Sequence, residues 1–150
     1  MKLADQGRFT IKTRLDRLMP LITDPDFMAR ALPDVKEYQV EGPDRASLKI
    51  AVGVSHIRGV LPARFRIDRS GGPGKLAVIA DASGMGSRVD LRLDFTLTEQ
   101  DGSVVVDWTS SADVNGMLAS VGAGLLRPLT RAKFDAVINS VQSALSQATA

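Results

Sequence analysis

Cysteine is absent from this chain, histidine, tryptophan and tyrosine each occur once, and aromatic residues amount to 5% of the sequence. Without cysteine there are no disulfides, no thiolate nucleophile and no cysteine-held metal, a usage that fits a reducing compartment. With His56 as the sole histidine, serine–histidine triads and multi-histidine metal sites are excluded. Charge of one sign is lacking too, since a formal charge of +2 is too small to make nucleic acid the main partner. No apolar run approaches the roughly 20 residues that span a bilayer, and Met1 to Thr10 has no signal-peptide core. The protein is therefore expected to begin in the cytoplasm. Its 150 residues, 44% hydrophobic and 24% charged, suit one globular domain over residues 1–150 and argue against disorder.

What the sequence has is alternation. Ile57, Gly59, Leu61, Ala63, Phe65 and Ile67 alternate with Arg58, Val60, Pro62, Arg64, Arg66 and Asp68. Val89, Leu91, Leu93, Phe95 and Leu97 alternate with Arg88, Asp90, Arg92, Asp94 and Thr96. Such period-2 runs predict half-buried antiparallel strands with one apolar face. About six strands are expected between Val35 and Val114, with turns at residues 42–44, 70–74, 83–86 and 101–102, after a first strand around Phe9 and Ile11 that ends near Thr13.

Helical spacing appears three times. Leu15, Leu18, Met19 and Ile22 mark a short helix containing Pro20; a second is capped by Thr23 or Asp24, has Pro25 at its first position, and is stopped by Pro33. Gly116 to about Gln147 reads as one long helix. Phe134, Val137, Ile138, Val141 and Leu145 form a single stripe on its second half. In its first half Ala119, Ala123 and Leu126 extend that stripe, while Leu118, Val121, Leu125 and Leu129 fall nearly opposite. Either Pro128 kinks the helix and resets its phase, or the second ridge is free to touch a membrane or a partner.

Catalytic chemistry is scarce. His56 falls in a strand connection, Asp24 and Asp26 suit helix capping better than metal binding, and no metal site is expected. Gly84-Met85-Gly86 and Gly122-Ala123-Gly124 lack the setting of a phosphate loop. Arg58, Arg64, Arg66, Arg88 and Arg92 share the polar face with Asp68, Asp90 and Asp94, so cross-strand ion pairs are expected ahead of attraction to anionic lipid headgroups. Tyr38, Trp108 and Ser110 take the inward parity of their strands, as core residues or as the few polar contacts of a cavity.

Residues 21–33 (LITDPDFMARALP), 52–59 (VGVSHIRG), 82–86 (ASGMG) and 116–122 (GMLASVG) carry a resemblance that, with the element order, covers nearly the whole chain. The sequence resembles the carbon monoxide dehydrogenase G-subunit (CoxG) family of the START-like, or SRPBCC, helix-grip superfamily. That resemblance implies an α+β fold: a curved antiparallel sheet of about seven strands around a long carboxy-terminal helix, with two short helices after the first strand and an apolar cavity between sheet and helix. It also implies an accessory protein without catalytic residues or a tightly bound cofactor, which takes up a lipophilic molecule such as an isoprenoid quinone or lipid. Partners implied are a molybdenum-containing carbon monoxide dehydrogenase or related hydroxylase and the inner face of the membrane.

The expected ligand contacts are Ile50, Val52, Ile57, Leu61, Phe65, Leu93, Phe95 and Trp108, with Met85 and Met117 as adaptable gates. Longer relatives carry a carboxy-terminal tail that assists membrane attachment, whereas this chain stops at Ala150, just past its helix; transient contact is expected through Leu118, Val121 and Leu125. Two other readings stay open: a cyclase or dehydratase using Tyr38, Trp108 or Ser110, and a protein-binding adaptor with no ligand.

Overall fold

The computed structural model describes residues 1–148; the last two, on which the expectation of a chain stopping just past its helix falls, lie outside them. Seven strands run β1 (Lys2–Ile11), β2 (Val35–Val40), β3 (Arg45–Val54), β4 (Ile57–Asp68), β5 (Lys75–Gly84), β6 (Ser87–Gln100) and β7 (Ser103–Gly116). They form one antiparallel sheet in the order β1-β7-β6-β5-β4-β3-β2. Helices α1 (Leu15–Ile22) and α2 (Pro25–Ala31) follow β1, and α3 (Ala123–Ala148) closes the described chain.

Register sorts the side chains. Cross-strand partners share a face, so the buried Val104, Val106 and Trp108 place Ile11, Phe9 and Gly7 on the side that faces α3. By the same rule Asp5, opposite Ser110, also lies on that side. The strand therefore begins well before Phe9: Leu3 is buried, but Asp5 and Gly7 interrupt the alternation by which it would be recognised.

Local chemistry sets the helix ends. Asp24 caps α2, its carboxylate accepting the Asp26 N–H at 3.0 Å, and Pro25 occupies the first turn, where no intrahelical N–H bond is required. Arg14 offers α1 no side-chain cap; Glu99 of β6 accepts the Leu15 N–H at 2.6 Å in its place. That bond ties α1 to the sheet.

The final helix departs from expectation. Residues Met117–Val121 form a 3-10 turn bounded by Gly116 (φ 85°, ψ −147°) and Gly122 (φ 86°, ψ 158°), a backbone region that only glycine adopts readily. The α-helical phase starts afresh at Ala123, with Pro128 inside the helix. The break at Gly122 thus cuts both ridges that the sequence places on one helix, parting Leu118 and Val121 from Leu125 and Leu129. Leu118 is 6% exposed and packs with Leu3, Ile57, Leu61, Val114 and Leu126; Val121 leans on the same cluster; Leu125 alone stands out, at 52% exposed. The expected outward ridge of Leu118, Val121 and Leu125 is therefore corrected to Leu125, because Leu118 belongs to the 3-10 turn and points into the core.

The middle of the edge strand β1 is occupied. Met1 and Val114 exchange backbone hydrogen bonds, so the alternate residues Ala4 and Gln6 direct their backbone groups away from β7. Arg127 donates to the Ala4 carbonyl at 3.3 Å, and the Asp5 carboxylate accepts the Gln6 N–H at 2.8 Å.

Candidate ligand-binding site

The stripe on α3 lies over the sheet. Val141 and Leu145 are buried with Ile11, Leu18, Leu48, Phe65, Val78 and Val106 in the main core. Between helix and sheet remains a cavity of about 60 Å³, lined by Phe9, Ile11, Leu18, Ile22, Met28, Leu76, Val78, Phe95, Leu97, Val106, Phe134, Val137, Ile138 and Val141. Every lining side chain is apolar. Ligand pockets for drug-sized molecules are usually about 300–1,000 Å³, so a larger guest needs side chains to withdraw or α3 to move.

Beside the cavity, aromatic side chains converge. Phe134 lies 4.5 Å from Trp108 between ring centroids, and 6.3 Å from both Phe9 and Phe95, edge-on to the first and parallel to the second. These four are a majority of the seven aromatic residues in the chain, so the scarce rings are concentrated here. Arg131 places its guanidinium 5.1 Å from the Trp108 ring centroid and binds Asp5 at 2.7 Å; Lys133 binds Asp34 at 2.8 Å. Lys133 holds the exposed Asp34 carboxyl below its usual range, chiefly through that hydrogen bond.

The expected ligand contacts do not gather around one void. Phe95 lines the cavity, Phe65 is buried in the main core, and Ile50 and Leu93 pack against that core. Trp108, 6% exposed, sits beside Phe134. Ile57, Leu61, Val52 and Met85 belong to the second cluster, around Leu118 and Leu126. Met117 is half exposed next to Gly86. Sequence reasoning counted sheet positions and omitted the contributions of α1, α2 and α3: Leu18, Ile22, Met28, Phe134, Val137 and Ile138. The signal was present in the α3 stripe, on which Phe134 is the one aromatic.

The polar candidates are placed elsewhere. Tyr38 is 39% exposed and donates its hydroxyl to Asp26 at 2.8 Å, while Arg30 binds the other oxygen of Asp26 at 2.9 Å. This pairing raises the Tyr38 phenol above its ordinary range and lowers Asp26 below the usual carboxylate range. His56 is exposed in the β3–β4 turn beside Ser55. Among the described residues, no group of three or more histidine or carboxylate side chains is arranged to hold a metal.

The opposite face of the sheet carries an open trough of about 710 Å³ whose walls include Arg45, Arg66 and Arg92 on one side and Lys2, Asp81, Asp90 and Asp113 on the other. Asp81, Asp90 and Asp113 are neighbours in register, an arrangement that repels unless neutralised. Arg64 and Arg88 pair with Asp81, Arg88 with Asp90, and the Met1 amine with Asp113. The basic residues of this face are thus largely drawn into ion pairs. Of Arg58, Arg64, Arg66, Arg88 and Arg92, only Arg64 and Arg88 reach across strands among the described residues, to Asp81; Arg66–Asp68, Arg88–Asp90 and Arg92–Asp94 run along one strand, where the interleaving predicts cross-strand pairs.

The sheet gripping a long final helix, with two short helices between its first two strands, defines a START-like helix-grip protein. Solved structures of the same shape include a conserved protein from Geobacillus kaustophilus (TM-score 0.86, 18% identity, 97% of this chain and 96% of that one). A START superfamily protein from Mycobacterium smegmatis follows (0.71, 7%, 96% and 97%), with an aromatase/cyclase from Streptomyces (0.72, 12%, 100% and 97%). The family model for the carbon monoxide dehydrogenase G-subunit (CoxG) matches residues 7–146, and the chain belongs to that family. No curated protein sequence matches it. Among the described residues, no helix is long and apolar enough to cross a membrane.

Proposed function

We propose that this protein is a non-catalytic accessory protein that carries a lipophilic molecule, an isoprenoid quinone or a lipid, between α3 and the sheet. The observation that supports this most directly is the wholly apolar lining of the cavity: it offers a guest hydrocarbon contact and no acid, base or nucleophile. Burial at about 25 cal/mol per Å² supplies affinity without polar recognition. Family membership supports a place beside a molybdenum-containing carbon monoxide dehydrogenase or related hydroxylase, which the carrier would link to the membrane. Met117 and Leu125, each about half exposed on either side of Gly122, are the apolar residues suited to transient membrane contact.

The test is mass spectrometry of the organic extract of protein purified without detergent, beside a matched control protein. A stoichiometric quinone or lipid is expected. A clean extract, repeated after incubation with membrane lipids, would overturn the carrier reading in favour of an adaptor.

A further inference from the structure

Phe134 is the only helix-borne ring in the aromatic cluster, and three adjacent strands supply the rest: Phe9 from β1, Trp108 from β7 and Phe95 from β6. Rings prefer edge-on or offset contacts at centroid separations of about 4.5–7 Å, and all three distances fall in that range. The sheet thus presents a cage that a flat ring fills, and the protein fills it with its own side chain. Besides the buried Leu126, Val141 and Leu145, the helix that carries it is held close to the ring by two ion pairs. Arg131–Asp5 ties α3 to β1, and Lys133–Asp34 ties it to the loop between α2 and β2. All four partners are solvent-accessible, with side-chain exposures of 47%, 52%, 30% and 57%, so salt screens both pairs. At the amino-terminal end of α3, Gly122 interrupts the helix, and a Cβ there or at Gly124 would meet nothing within 4 Å. A hinge, two ionic latches and an internal ring lie along one element.

We propose that Phe134 is a removable plug, and that the cage of Phe9, Phe95 and Trp108 is a binding site for a flat, uncharged conjugated ring that replaces it when α3 swings on Gly122. The proposal rests on the carrier reading and deepens it by naming the chemical class that the cage selects. Removing the Phe134 ring joins its space to the adjoining cavity; apolar cavities on the order of 150 Å³ take up benzene. Ring-bearing lipophiles are therefore preferred over saturated chains of equal apolar area.

The experiment uses the full chain, with azulene as a flat hydrocarbon that absorbs where tryptophan emits and 1-dodecanol as the saturated comparison. Trp108 is the single tryptophan, so its emission reports the cage directly. Phe134→Ala is expected to bind azulene at least tenfold more tightly than the parent, with Trp108 quenched, and to gain little for dodecanol. Should that variant not fold, Phe134→Leu, which keeps an apolar side chain, carries the same comparison. Asp34→Asn lies outside the cage, suits the left-handed backbone at that position (φ 66°) and removes one latch. It is expected to speed azulene association severalfold in the parent background, as added salt does. A folded Phe134 variant with no gain for azulene, or a gain without quenching, overturns the plug. If the parent nevertheless binds dodecanol, the carrier reading survives that failure; if neither probe binds either protein, both fall. An association rate unchanged by Asp34→Asn overturns the latch.

Discussion

The hydroxyl of Ser87 accepts the N–H of Leu118 at 2.9 Å, joining the start of β6 to the 3-10 turn across 31 residues of chain. Ser87 is the only buried polar side chain among the described residues. Ser87→Ala leaves a buried N–H without its acceptor, which costs about 1–3 kcal/mol. Urea denaturation measures that loss, and amide exchange at Leu118 should quicken about tenfold or more. Unchanged exchange would show that the bond does not hold the turn.

Gly116 and Gly122 share a backbone conformation and differ in surroundings. A Cβ on Gly116 would fall 2.1 Å from the Gly86 carbonyl oxygen, whereas one on Gly122 would meet nothing within 4 Å. Gly122→Ala is expected to cost only the conformational penalty, about 1–3 kcal/mol. Gly116→Ala adds a backbone collision and is expected to lose more. Equal midpoints in thermal unfolding would contradict this ordering.

Gly7 makes room for tryptophan. A Cβ there would lie 2.8 Å from the Trp108 ring, which is held by Phe134 on another side. Gly7→Ala is therefore expected to destabilise by about 1–3 kcal/mol, the usual cost of overpacking, and to shift Trp108 emission. An unmoved spectrum with full stability would place the ring in a looser setting than the one described.

Tyr38 is the single tyrosine, so absorbance titration reads it alone. Its phenol donates to Asp26, and ionising it would set two negative charges together; its pKa lies above the ordinary value of about 10. The folded-state pKa is raised, so this contribution is fully present below the unfolded value and is lost as pH rises through the folded one. Asp26 is lowered, first by the Tyr38 hydroxyl and then by Arg30; its contribution is present above the unfolded value of about 3.9 and is lost as pH falls through the folded one. Asp26→Asn should bring the Tyr38 midpoint back toward about 10. A midpoint that stays put would remove Asp26 as the cause.

The strands were legible because one apolar face and one charged face leave a period-2 record, and residues 57–68 and 88–97 lie in β4 and β6 as that record requires. The cap at Asp24 was equally plain. The helix break was not, since Met117, Leu118 and Ala119 suit a helix and only the φ of the flanking glycines interrupts it. The site was half legible. Parity tells which sheet residues face inward, but it cannot tell which of them a helix side chain covers, and Phe134 decides that for Trp108 and Phe95.

Arg127 and Arg131 stand guard over β1 from α3, the first on the Ala4 carbonyl and the second on the Asp5 carboxylate that occupies the Gln6 N–H. Lifting the helix to admit a guest would withdraw both at once and free the Ala4 carbonyl on the outer edge of a ten-residue strand, an unpaired backbone group of the kind that templates chain-to-chain association. Opening of the kind proposed would thereby be coupled to self-association. On the carrier reading proposed above, a guest that lets the helix close again would also protect the chain from aggregation, and an open, empty chain would be the one most exposed to its own copies.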